Sequence, residues 1–463
     1  MLSAYRRAGR LPAPAPRTLP APAEPDERPP CSTTAVEVLE LILSGEVPIP
    51  GGVTLLAGQW LDGAARVGCR VPARLLPRLL DLGSTSPALQ AALRTVVGPR
   101  GRWLARHHNR WGWAAGEPFD DLEAAEQRFA TAAKGERPAI LEAVRRVDVT
   151  RGRDLLTSTW KSDPAAERAA LLPVLAVGLS DDDEPFLEAA LDDRAAGVRQ
   201  VTVDLLGRLP ASRRAARMAE RLQALVRRGD AQGEMLSLAP PGEPDAAARR
   251  DGISDAAPAG MGVSAWRLAQ LVAGAPLSFW TERLGLSPAE TVAVAATVAP
   301  SRKTGPRPGR PAGPLLLGLA SAVVAQAGRV DPDWAVAVFA HRPSPPVLAS
   351  LPHDLAAEQL TRLLGAGVAP GPAVAGLFAA CPGPWPRFLG DAVLDRYRRL
   401  GTKAVLELQA ALPVLAARLD PSALPLVETW VLALAEDQGL RRRVQTLGHA
   451  LSLRAVIHRE FFS

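Results

Sequence analysis

Sixteen consecutive residues, Gly98–Trp113 ("GPRGRWLARHHNRWGW"), hold four arginines, three tryptophans and two adjacent histidines. Read as a helix, Arg102, Arg106 and Arg110 fall on one ridge. Trp103, His107 and Trp111 form the next, about 100° around. An arginine ridge beside aromatic rings is a surface that contacts phosphates and stacks on bases. The same spacing describes a packed helix, with Trp103, Leu104 and Trp111 in the core and the arginines paired to carboxylates of a neighbouring helix. We expect packing. A metal site is not expected, because His107 and His108 diverge and a helical chelate needs partners three or four residues apart.

Two basic segments, Arg302, Lys303, Arg307 and Arg310 in "PSRKTGPRPGRPAGP" and Arg6, Arg7 and Arg10 near the start, suit polyanion or partner contacts. The stretch "RRDGISDAAPAG" places Arg250, Asp251, Ser254 and Asp255 in a long loop between helical regions. Polar groups on a loop held by a rigid scaffold make it the candidate functional loop. "SDDDE", Ser180–Glu184, is acidic enough to attract a cation, but without further oxygen ligands it reads as a helix N-terminus. The chain has no phosphate-loop motif, dinucleotide glycine fingerprint, nucleophile elbow, kinase set or zinc-ligand cluster. Four lysines and two tyrosines leave few carriers for Schiff-base chemistry. No catalytic residue, cofactor or metal is predicted.

At 463 residues the chain is long enough for about three domains or one repeat structure. Its 47% hydrophobic and 22% charged residues are those of a globular protein, and 5% aromatics with abundant Ala and Leu favour helices. Only four of the 54 basic residues are lysine, leaving 50 arginines, whose planar fork suits carboxylates and phosphates. A net charge of +6 is weak ground for nucleic acid, and the Ala, Arg, Gly and Pro excess matches GC-rich bacterial codon usage. Cys31, Cys69 and Cys381 are scattered and odd in number, which predicts a reducing compartment without disulfides. With no apolar signal region and no eighteen-residue apolar run, the expected location is cytoplasmic.

Residues 1–32 are Pro/Ala-rich and are predicted to be a disordered tail. Order is expected from "TTAVEVLELILSG", where Thr34 and Glu37 have capping-box spacing and Gly45 can close the helix. Helices are predicted near 52–67, 73–82, 87–97, 101–110, 119–134, 138–147, 150–160, 164–179, 184–193, 196–209 and 212–228, then 263–275 and 277–299. No hairpin is expected. Two helical regions, 33–228 and 263–463, are joined by a long linker at 229–262, and a basic Pro-rich loop spans 300–314.

"DEPFLEAALDDRAAGVRQVTVDLLGRLP", Asp183–Pro210, pairs two amphipathic helices through a tight turn. Such a pair cannot enclose a core alone and must stack on others. The passage resembles a HEAT-type repeat, with Pro185 in the first helix, Asp193 at the turn and Val198–Arg199 opening the second. Pro425–Leu451 resembles a weaker second copy. The fold class is therefore all-α, an irregular α-solenoid of HEAT-like stacked helix pairs. "VVGPRGRWLARHHNRWGW" (96–113), "LLTSTWKSDPAAERAALLPVLAVGLSDDDEPFLEAALDDR" (155–194) and "RRDGISDAAPAGMGVSAWRLAQLVAGAPLSFW" (249–280) also resemble an uncharacterised actinobacterial domain-of-unknown-function family with HEAT-like helices. That resemblance implies an accessory role in a multi-protein system, beside MoxR-like ATPases, von Willebrand factor A-type proteins and SWIM zinc-finger proteins. The expected function is a non-enzymatic scaffold for protein–protein interaction. The alternative is HEAT-like nucleic-acid binding through an arginine-rich surface.

Overall fold

The computed structural model describes residues 20–115, 122–228, 236–297, 313–434 and 437–462. The fold is all-α: 24 α-helices are found among the described residues, with a single two-stranded hairpin. The chain forms two compact units. One comprises Met1–Glu46, Val53–Glu117 and Val456–Ser463, and the other Val47–Gly52 and Pro118–Ala455.

In the first unit the helix Thr33–Ser44 is capped by Ser32, whose side chain accepts from Ala35 N. Thr34 was the expected cap; Thr34 is instead already inside the helix. Gly45 closes it in the left-handed conformation, φ 71°, as its sequence position implies. Leu39 and Ile42 on this helix are fully buried, as are Leu56, Trp60 and Leu61 on Val53–Val67. The Trp60 indole donates to Ala35 O at 2.8 Å and meets the edge of Phe461, with ring centroids 5.3 Å apart.

Residues 20–32, expected to be part of a disordered tail, are an extended strap. Trp103 Nε1 donates to Ala21 O, and Arg28 donates to the carbonyls of Thr95 and Val96 at 2.9 and 3.1 Å. Cys31 N and Arg70 N bond to Arg70 O and Pro29 O, and Cys31 is joined to Cys69 by a disulfide with Cα atoms 5.0 Å apart. This corrects the expectation of free thiols. Sequence separation hid the pair, which the strap's backbone bonding to Arg70 brings together. Residues 1–19, with Arg6, Arg7 and Arg10, lie outside the described residues.

The predicted helices at 87–97 and 101–110 are one kinked helix, Gln90–Arg106, bent at Gly98–Pro99. Gly98 has φ 61° and ψ −166°, a region reserved for glycine. A Cβ there would lie 2.1 Å from Arg28 Nη2 and 2.6 Å from Asp26 Oδ2, so the missing side chain is the notch that admits the strap.

The second unit holds two buried clusters. One gathers residues between Ala125 and Leu209, and the other runs from Met218 to Leu451 around Trp280, Phe339, Phe378 and Tyr397. The helix pair foreseen at 184–209 is present as Glu184–Ala190 and Ala196–Leu206, with Leu187, Val198, Thr202 and Leu205 inside. Several boundaries differ for local reasons. The 164–179 helix ends at Leu171 because Pro173 tightens the next turn to a 3-10 helix, Leu172–Ala176. The 277–299 helix is two, Ser278–Leu284 and Pro288–Thr297. Gly285 at φ 70° stops the first, and Ser287 and Glu290 form a reciprocal cap on the second. The end of the predicted 212–228 helix becomes a strand, Val226–Arg228, antiparallel to Leu236–Leu238. The supposed linker 229–262 thus contains a strand and the short helix Ala246–Arg250, while 229–235 lie outside the described residues.

Arginines cross-link this unit. Arg145 and Asp183 are wholly buried, and the guanidinium bonds both carboxylate oxygens (3.2 and 3.0 Å) and the carbonyls of Val177, Val149 and Leu175. Gly152 makes room: a Cβ there would stand 2.1 Å from Arg145 Cγ. Arg137 grips Asp163 and Glu167, Arg168 grips Asp193, and Arg396 grips Glu407. "SDDDE" therefore opens a helix and supplies Asp183 to a buried ion pair.

Gly98→Ala should destabilise the protein by about 1–3 kcal/mol, through backbone strain and expulsion of Arg28 from its notch. Urea unfolding of the purified variant measures it. A change within error would show that the strap is not held there.

Candidate functional site

The expected arginine ridge does not form as a unit. Its helix ends at Arg106, and Arg110 lies in the 3-10 turn Asn109–Ala114. Arg110 faces Asp81 of the helix Leu76–Thr85 at 3.6 Å, the neighbouring-carboxylate pairing the spacing suggested, and Trp111 Nε1 donates to the same carboxylate at 3.0 Å. Trp103 and Trp111 are half-buried: Trp111 packs with Leu104 against the buried cluster of Leu76, Leu80, Val97, Ala105 and Ala114, while its indole N–H donates to Asp81 and that of Trp103 to Ala21 O. Arg102 is half-buried and Arg106 exposed, both beside strap residues Pro20–Glu24. Arg302, Lys303, Arg307 and Arg310 lie outside the described residues.

The candidate loop is ordered by ion pairs. Arg214, Arg217 and Arg221 occupy one face of the helix Arg213–Leu225, spaced three and four apart, and all three reach Asp251. Arg217 and Arg221 bond its carboxylate at 2.5–3.1 Å, and Arg214 Nε donates to its backbone carbonyl at 2.9 Å. Arg250 bonds Glu188 and Asp192 on the preceding helix pair, and Arg217 also takes Glu188. Asp251 is fully buried. Burial alone would raise its pKa, but the hydrogen bonds and charges of Arg217 and Arg221 outweigh it and hold the carboxyl below its usual 3.8. Ser254 is fixed through its backbone by the Gln270 amide at 3.1 and 2.8 Å, and Asp255 by Arg267 at 2.6 Å. Arg250 and Asp251 thus belong to one ion-pair clamp, while Ser254 and Asp255 are tied separately to Gln270 and Arg267.

Above that clamp opens a cleft of about 1280 Å³, lined by three helix faces. Gln200, Val203, Asp204, Gly207 and Arg208 follow one helical stripe and the turn after it. Trp266, Gln270, Ala273 and Gly274 follow a second; Leu317, Ala320, Ser321 and Val324 a third. The second and third helices approach closely because position 318 is glycine. A Cβ there would lie 2.5 Å from Val272 Cβ and 2.7 Å from Ala269 O. Arg208, Arg214, Arg329 and Arg342 line the cleft, and Asp204 is its one carboxylate. Arg214 is 5% exposed, and burial pushes its pKa down to about 10. This surface was not foreseen. Its residues are contributed by segments up to 171 positions apart (176 to 347), and the small-residue stripes that shape it look like ordinary helix packing.

A family model described as "Family of unknown function (DUF5691)" matches residues 1–461. No curated protein and no solved structure matches the chain.

Asp251→Asn should cost about 3–5 kcal/mol at neutral pH, because it leaves Arg217 and Arg221 facing a neutral group. A carboxyl whose folded pKa is depressed stabilises above its ordinary pKa and loses that contribution as pH falls through the folded value. The wild type should therefore lose stability below about pH 4, with a shallower fall in the variant. Urea unfolding across acidic pH compares them, and equal slopes would remove Asp251 from the acid response.

Proposed function

We propose that this chain, which belongs to the DUF5691 family of unknown function, is a non-enzymatic scaffold that binds a partner protein in the arginine-lined cleft of its second unit. In this reading, helix pairs such as Glu184–Ala190 with Ala196–Leu206 stack as HEAT-like repeats in an irregular α-solenoid, an arrangement that presents extended concave surfaces. The observation that supports the reading is the cleft's lining: four arginines against one carboxylate, on a floor of small and aliphatic side chains. Arginine is a favoured anchor at protein interfaces, and this charge balance favours an acidic, extended segment of the partner. MoxR-like ATPases, von Willebrand factor A-type proteins and SWIM zinc-finger proteins are the partners to try first.

Ser321 is exposed on the cleft wall, and Ser321→Trp fills the space without touching the ion-pair clamp. Purified candidate partners should bind the wild-type chain, and the variant should bind about tenfold or more weakly by calorimetry. Equal binding by both chains, or no binding by any candidate, would overturn the proposal. Binding to a labelled duplex that weakens steeply with salt would favour the nucleic-acid alternative in its place.

A further inference from the structure

We infer that the part of this cleft beside Arg214 is an oxyanion subsite that takes the phosphate group of a phosphorylated ligand. The inference deepens the cleft reading above and rests on it, but a separate observation carries it: Arg214 is a buried cation with an incomplete set of partners. Arg137, Arg145 and Arg396, also buried, each hold a carboxylate. Arg214 donates from Nε to Asp251 O, and Asp251's carboxylate is taken by Arg217 and Arg221. Among the described residues neither Nη of Arg214 has an acceptor within hydrogen-bond distance.

The wall beside that guanidinium is Gly274. A Cβ there would stand 2.9 Å from Met218 Cγ and 3.2 and 3.3 Å from Arg214 Nη1 and Nη2, so the bare position lets the guanidinium lie against this wall. On the same wall, the indole Nε1 of Trp266 is buried without an acceptor among the described residues. Two parallel N–H donors on a planar fork match a pair of oxyanion oxygens. Phosphate is favoured over carboxylate by the surrounding charge. Arg208, Arg329 and Arg342 line the same cleft against Asp204 alone, an excess that a dianion with three acceptor oxygens compensates better than a monoanion. Desolvation also weighs against the Arg214 cation in the unliganded protein, a cost that a bound anion relieves.

The test titrates the full-length chain, in phosphate-free buffer, with inorganic phosphate, phenyl phosphate and a phosphoserine peptide, followed by thermal shift and calorimetry. Inorganic phosphate should raise Tm saturably, and Arg214→Gln should weaken binding by about 10- to 100-fold. If that variant does not fold, Arg214→Lys keeps the charge but loses the two-pronged fork, and should weaken binding several-fold. Tighter binding of the peptide than of phenyl phosphate assigns the phosphate to a partner segment, and the reverse to a free small molecule. No saturable effect on the wild type, or equal affinity in the variant, overturns the subsite. Partner capture that persists in that case would show that the cleft reading stands without it.

Discussion

Buried guanidinium–carboxylate pairing between successive helices is the constraint on which the second unit rests. Arg145 sits with no exposed surface against Asp183, and its three nitrogens also reach three backbone carbonyls from other segments. Desolvating two charges is costly, and only this degree of satisfaction makes the arrangement tolerable. It also fixes geometry, because a planar fork bonding two oxygens and three carbonyls admits one orientation of the segments around it. Arg137 and Arg396 repeat the device along the chain, and the part-buried Arg168 and Arg217 pair with the carboxylates of Asp193 and Asp251. An arginine-rich composition, ambiguous between polyanion binding and codon bias, is in good part explained by internal bonding.

The cleft follows from the same chemistry left unfinished. Three arginines on one helix face converge on Asp251, whose two carboxylate oxygens are occupied by Arg217 and Arg221. Arg214, the third, receives only the backbone carbonyl. The clamp thus ties the helix Arg213–Leu225 to Asp251, and its third cation gives the cleft wall a directed charge. Shape comes from a different source: Gly318 lets two helices close, and Gly274 lets its helix lie against Met218 and Arg214.

Helix existence was legible wherever apolar spacing and caps agreed, as at 33–44, 53–67 and 184–206. Boundaries were less so, because a single residue decides them: Gly285 cuts one predicted helix in two, while Gly98 only kinks one helix where two were predicted. Residues 20–32 read as disordered because composition cannot report the notch, the disulfide and the indole that hold them. Asp251 was picked out for its loop position, although its partners lie 30 and 34 residues away, and the cleft needed segments from three regions of the chain. Pairings of that range leave no periodic signature.

The crowding between Gly152 and Arg145 carries a consequence for how such a chain can change over generations. The glycine is required only while the long side chain lies across it, and the arginine fits only while that position is bare. Neither can drift alone without a clash or the loss of the bidentate partner of the buried Asp183, which would keep only Arg153 at 3.6 Å. The three positions should therefore be inherited as one covarying set, visible in related sequences as glycine, arginine and aspartate that are kept or lost together.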